Sequence, residues 1–214
     1  MKKPNVMARL WPPRVCRRFE RRVRTSSGGN NFPVAFVWFR ARFSSMNPMK
    51  YIAPIAAIVG ITLPGAAEPI AEGAALPSVS CFDQAGKEVK LQELGAKGYL
   101  LVYFYPKADT PGCTKQACSL RDSYEKITDK AVKVVGVSLD SVEAQKAFAE
   151  KYKLPFILLA DKEAKVADAF GVPHLAGFAK RQAYLFLDGK LVWRDLSAAT
   201  EEQAADVLKV LEKK

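Results

Sequence analysis

The chain has 214 residues, enough for one domain with a sizeable core, and its 49% hydrophobic and 26% charged residues are ordinary for a globular protein. A net charge of +11 would suggest nucleic acid or an anionic membrane as a partner, but its placement argues otherwise. Residues 1–50 hold twelve of the 33 basic residues and one of the 22 acids, Glu20, whereas residues 51–214 hold 21 of each. The body is neutral, so nucleic acid is excluded as its expected partner.

Residues 1–48 read as a basic leader, either a targeting segment or an upstream extension. The stretch RVCRRFERRVRTSSGGNNF is rich in Arg and Ser, poor in acid, and lacks a periodic apolar pattern. From Met49 the pattern changes. Lys50 supplies a positive end, Ile52 to Leu63 an apolar run, and Gly65-Ala66-Ala67 a small-residue cleavage site. That layout predicts a signal peptide over 49–67, cleaved after Ala67, and an exported or periplasmic protein. The run is short and holds Pro54, with Pro64 just beyond it, so stable membrane insertion is not expected. Organelle import through the Arg-rich leader is the alternative, with a cytoplasmic protein behind it.

Residues 68–214 are expected to form one domain. VSCFDQAGKEVKL reads as a β-hairpin turning at Asp83–Gly86. YLLVYFY, Tyr99–Tyr105, is a continuous apolar run expected of a buried central strand, ended by Pro106. CTKQACSLRDSYEKI is expected to form one helix, with Ala117, Leu120, Tyr124 and Ile127 along a face. VKVVGVS reads as a second buried strand, and SVEAQKAFAEKYK as a helix with Ser141 as its N-cap. FILLA, the helix KEAKVADAF, a loop GVPHLAG and the strand QAYLFL follow. Asp188-Gly189 turns into KLVWRD, and TEEQAADVLKVLEKK reads as a capped amphipathic helix. Strands alternating with helices predict an α/β fold, a mixed central sheet flanked by helices on both faces.

Four cysteines are spread thinly, yet Cys113 and Cys118 lie five residues apart. Cys16 and Cys81 read as ordinary small residues. Cys113 differs, because it follows a strand, a proline and a glycine and opens a helix. The free N–H groups there favour an anion, so Cys113 is the expected nucleophile in thiolate form. Zinc is not expected: the body holds three cysteines, His174 and no C-x-x-C pair. His174 reads as a solvated loop residue. On an ideal helix a five-residue spacing separates Cα atoms by about 8.6 Å. A disulfide needs roughly 4.4–6.8 Å. The two sulfurs can therefore meet only if the helix unwinds, which suits a nucleophile that reacts first and a partner that acts afterwards.

YFYPKADTPGCTKQAC resembles the active-site segment of the peroxiredoxins, specifically the peroxiredoxin Q or bacterioferritin comigratory group. Pro106, Thr110 and Cys113 fit the pattern P-x-x-x-T-x-x-C. The resemblance continues through RDSYEK, VVGVSLDS, KAFAEKYKLPF, LLADKEAKVADAFGVP and KRQAYLFLDGKLV, over about residues 74–213. It implies a thioredoxin-like fold, hydroperoxide reduction without metal or other cofactor, recycling by thioredoxin or a similar dithiol, and a monomer. It also implies roles: Cys113 peroxidatic, Cys118 resolving, Thr110 holding the peroxide, Arg181 stabilising charge, and Pro106 shaping the pocket. Arg121 is a weaker candidate for the same work as Arg181. Two departures stand out. Cys81 is an added cysteine, open to an alternative disulfide, and Gln145 lies near where the group often carries histidine. A thioredoxin-like protein disulfide oxidoreductase and a non-enzymatic thiol redox sensor are the alternative functions.

Overall fold

The computed structural model describes residues 68–213, so the expected leader, the expected signal peptide and Cys16 lie outside the described residues. In chain order the elements are β1 (Ser80–Phe82), β2 (Glu88–Lys90), α1 (Leu91–Gly95), β3 (Tyr99–Phe104), α2 (Pro111–Asp122), α3 (Tyr124–Asp129), β4 (Val132–Ser138) and α4 (Val142–Tyr152). They continue as β5 (Ile157–Ala160), α5 (Lys165–Phe170), β6 (His174–Leu175), β7 (Phe178–Ala179), β8 (Gln182–Leu187), β9 (Lys190–Asp195) and α6 (Gln203–Glu212). The central sheet runs β5-β4-β3-β8-β9. Strand β3 is parallel to β4 and antiparallel to β8, so the sheet is mixed, as expected of a thioredoxin-like fold. The predicted N-terminal hairpin is the β1–β2 pair.

The core follows from the two-residue period of a strand covered on both sides. On β3, Leu101 and Tyr103 join one buried cluster, with Ala117 and Leu120 of α2, Phe148 of α4 and Val207 of α6. Leu100, Val102 and Phe104 face the other cluster, with Val166 and Phe170 of α5. Strand β8 repeats the alternation, with Ala183 and Leu185 on the first side and Tyr184 and Phe186 on the second.

Four local readings are corrected. The single helix predicted over Cys113–Ile127 is two helices, because Ser123 leaves the helical region at φ −101°, ψ 7°. The break lets Tyr124 pack on Phe156, with ring centroids 5.9 Å apart. The end of the N-terminal hairpin continues into α1, which carries the fully buried Leu91. The segment around His174 is a small hairpin, β6–β7, rather than a plain loop. Helix α6 has no side-chain cap: it begins after Glu202, and Gln203 turns inward, 1% exposed. By contrast, Ser141 caps α4 as predicted, its hydroxyl accepting the Ala144 N–H at 3.3 Å.

Candidate active site

Strand β3 and its continuation Tyr105 run through the core and stop at Pro106, which has no N–H to extend the ladder. Residues 106–110 then carry the chain to α2. Thr110 is the N-cap residue, in extended conformation at φ −84°, ψ 153°, and Pro111 opens the helix with a pre-set φ. Cys113 therefore sits in the first turn, where backbone N–H groups have no intrahelical partner. The Thr110 side chain does not cap those groups. Its hydroxyl donates to the Lys107 carbonyl at 2.9 Å, which leaves its oxygen able to accept a hydrogen bond.

Cys113 carries a free thiol and is 2% exposed. Arg181 approaches from the start of β8, its Nη2 3.4 Å from the Cys113 Sγ. Gly112 lies beside this contact: a Cβ there would be 3.4 Å from the same Nη2. The guanidinium is itself held, since its Nη1 donates to Oε1 of Gln116, one helical turn beyond Cys113. Gln116 is fully buried and donates its amide to Oε1 of Gln203 on α6. A chain of contacts thus runs from α6 through α2 to the guanidinium and the sulfur.

The structure brings Pro106, Thr110, Cys113 and Arg181 together at one end of β3 and β8, although they span 75 positions of sequence. Cys118 lies on the same helix as Cys113 and is buried, 3% exposed. Arg121 donates to the Asp122 carboxylate at 2.7 and 2.9 Å and to the Tyr152 carbonyl at 2.7 Å. His174 meets Asp168 at 2.9 Å. Cys81 is half-buried in a separate cavity of about 380 Å³ that Cys113 does not line. Burial, followed by the Asp161 charge, pushes the Cys81 thiol up to about 11. Among the described residues, no cluster of three or more His, Cys, Asp or Glu could hold a metal. No described helix is long and apolar enough to cross a membrane.

Sequence reasoning missed Gln116 and Gln203. The one usable signal was a glutamine at i+3 from Cys113, on the face that must turn inward if Cys113 does.

Residues 73–194 match the AhpC/TSA family. Among curated proteins, the chain is similar to "Peroxiredoxin Q, chloroplastic" of Sedum lineare, at 51% identity over 104 residues, covering 49% of this chain and 55% of that protein. The protein of the same name from Arabidopsis thaliana is 44% identical over 132 residues, covering 61% of this chain and 59% of the relative. The chain thus spans about half the length of the curated relatives it matches. Among solved structures, the peroxidoxin BcpB of Mycobacterium tuberculosis is similar at 32% identity and a TM-score of 0.63, covering 66% of this chain and 96% of that one. The bacterioferritin comigratory protein of Xanthomonas campestris, described for its alkyl peroxide reduction activity, is 25% identical with a TM-score of 0.60, covering 67% of this chain and 96% of that one. With a family match over more than half its length, and the fold built around the P-x-x-x-T-x-x-C segment, the chain belongs to the AhpC/TSA family, in its peroxiredoxin Q group.

Proposed function

We propose that this protein is a thiol-dependent peroxidase that reduces hydrogen peroxide and organic hydroperoxides at Cys113. The observation that carries this reading is the Arg181 guanidinium, 3.4 Å from a free thiol in the first turn of a helix. The Cys113 thiolate attacks the nearer oxygen of ROOH. An S–O bond forms, the O–O bond breaks, and its electron pair leaves with RO⁻, which takes a proton to give ROH. Negative charge spreads from sulfur over both oxygens, so fixed donors lower the barrier. Arg181 supplies a permanent positive charge at the sulfur, and the N–H of Cys113 a further donor. The Thr110 oxygen accepts the peroxide hydrogen, and Pro106 shields the pocket.

The product is a cysteine sulfenic acid. Cys118, once reduced to the thiol, supplies a thiolate that attacks that sulfur and expels hydroxide, which leaves as water. The resulting disulfide is reduced by two electrons from an external dithiol, thioredoxin or similar. The protein works as a monomer. The names of the bacterial relatives support peroxide as the oxidant.

Delivery is a separate proposal. The layout of residues 49–67 supports export with cleavage after Ala67, whereas the chloroplastic names of the curated relatives support the alternative, organelle import. The body from Glu68 is anchored at once, since Arg194 donates to the carbonyls of Pro69 and Ile70 at 2.9 and 2.7 Å. A chain cleaved after Ala67 would keep that tether.

A steady-state assay with hydroperoxide, thioredoxin and thioredoxin reductase tests the reading. Many turnovers per Cys113 are expected, and none in Cys113→Ser, since a hydroxyl is a poor nucleophile without a base. One equivalent of oxidation without turnover would instead indicate a redox sensor. Oxidation of protein thiols without peroxide consumption would indicate a disulfide oxidoreductase.

A further inference from the structure

The loop from β3 to α2 is tied down on its other side by helix α4. The Tyr105 hydroxyl donates to Oε1 of Gln145. Gln145 is fully buried, yet both ends of its amide are satisfied, since Nε2 donates to the Ser138 hydroxyl at 2.8 Å and to the Leu159 carbonyl at 2.9 Å. The Ser138 hydroxyl in turn donates to Oδ2 of Asp140 at 2.7 Å. That same carboxylate oxygen accepts the Ala108 N–H, also at 2.7 Å. One buried amide therefore joins the carboxyl ends of β3, β4 and β5, and its chain of hydrogen bonds ends on the loop backbone two residues before Thr110. At the far end of α4, Asp109 is held by Lys151 Nζ at 2.6 and 2.8 Å and by the Tyr152 hydroxyl at 2.6 Å. Asp109 adopts φ 58°, a conformation that a non-glycine residue keeps only where its surroundings enforce it.

We propose that Gln145 is a positioning residue for the peroxide-binding loop, holding Thr110 in register through Tyr105 on one side and through Ser138, Asp140 and Ala108 on the other. The inference rests on the assignment of Cys113 as the reacting thiol. A buried amide with three partners would support the fold in any case, so the test must read something that stability alone does not move. Two reagents separate the roles. Iodoacetamide needs only the sulfur, whereas a peroxide needs the sulfur and the loop that binds its oxygens.

On the full-length reduced protein, the second-order rate of Cys113 oxidation by hydrogen peroxide is measured beside its alkylation by iodoacetamide. In Gln145→Leu the peroxide rate is expected to fall about tenfold, as a small misplacement of a binding group does, while alkylation stays within about twofold. Asp140→Asn keeps the shape but weakens the grip on Ala108, so a fall of about threefold in the peroxide rate alone is expected. If Gln145→Leu does not fold, as judged by circular dichroism, Asp140→Asn alone decides. Equal losses in both rates, or an unchanged peroxide rate in a folded variant, would overturn the proposal. Failure of the parent assignment looks different: there the wild-type Cys113 would not consume peroxide at all.

Discussion

At the scale of single residues, the guanidinium of Arg181 makes two contacts at once, with the Cys113 sulfur and with Gln116 Oε1. Only a planar fork does this; a lysine is a point charge on a flexible stem. Arg181→Lys is therefore expected to lower the second-order rate with peroxide by about ten- to a hundredfold, with little change in melting temperature, checked by stopped-flow kinetics and thermal unfolding. Cys81 makes a contrasting case. Its thiol stays protonated up to about 11 in the folded protein, against 9.0 in the unfolded chain, because burial penalises the thiolate. A proton held more tightly in the folded state stabilises it fully below about pH 9, and that contribution is lost as pH rises towards 11. Wild type should thus lose melting temperature relative to Cys81→Ala between about pH 8 and about pH 10.5. At neutral pH, iodoacetamide should label Cys113 and leave Cys81 largely unmodified.

At the scale of elements, the proposed mechanism requires helix α2 to serve two states. Intact, it presents Cys113 to Arg181; unwound, it lets Cys118 reach Cys113. Both cysteines lie in one unbroken helix, which keeps their Cα atoms about 8.6 Å apart. The contact with the start of α6 opposes unwinding. The Ser119 hydroxyl donates to the Glu201 carbonyl at 2.8 Å, Lys115 pairs with Glu201 at 2.5 Å, and Gln116 meets Gln203. Cys118→Ser should reduce one equivalent of peroxide and stall as the sulfenic acid, open to over-oxidation, as mass spectrometry would show. Ser119→Ala removes one bond of the contact, of order 1 kcal/mol, so disulfide formation should speed up by about two- to fivefold in quenched-flow measurements. Oxidised wild type should also exchange amide protons faster than reduced protein across residues 114–120.

At the scale of the whole molecule, charge divides the chain into two parts. The excess of basic residues ends by residue 50, and the neutral body is locked from its first described residues. Gly171, which ends α5 at φ 64°, lies against the segment at Glu68: a Cβ there would lie 2.0 Å from the Glu68 carbonyl oxygen. The Ile70 N–H donates to the Phe170 carbonyl at 3.1 Å beside it. A mature chain starting at Glu68 would keep these contacts whole. Intact-mass analysis of native protein is expected to give that start, and a chain still carrying Met49 would count against export. Gly171→Ala is expected to destabilise the domain by at least about 1 kcal/mol, through backbone strain and the collision with Glu68, measured by chemical denaturation.

The pattern of strands and helices was legible in the sequence because it depends on local periodicity. Apolar runs such as Tyr99–Tyr105 and Val132–Ser138 admit few other readings, and the match at Pro106, Thr110 and Cys113 lies within eight consecutive residues. The split at Ser123 and the missing cap of α6 were not legible, since packing on Phe156 and the inward turn of Gln203 outweighed local propensity. The surroundings of Cys113 were hidden for the same reason. Buried polar side chains such as Gln116, Gln145 and Gln203 look in sequence like ordinary surface residues, because a glutamine's amide gains its meaning only from the partner it meets. Those partners lie 87 positions apart for Gln116 and Gln203 and 40 for Tyr105 and Gln145, and only the packing of helices on the sheet brings them within hydrogen-bond reach.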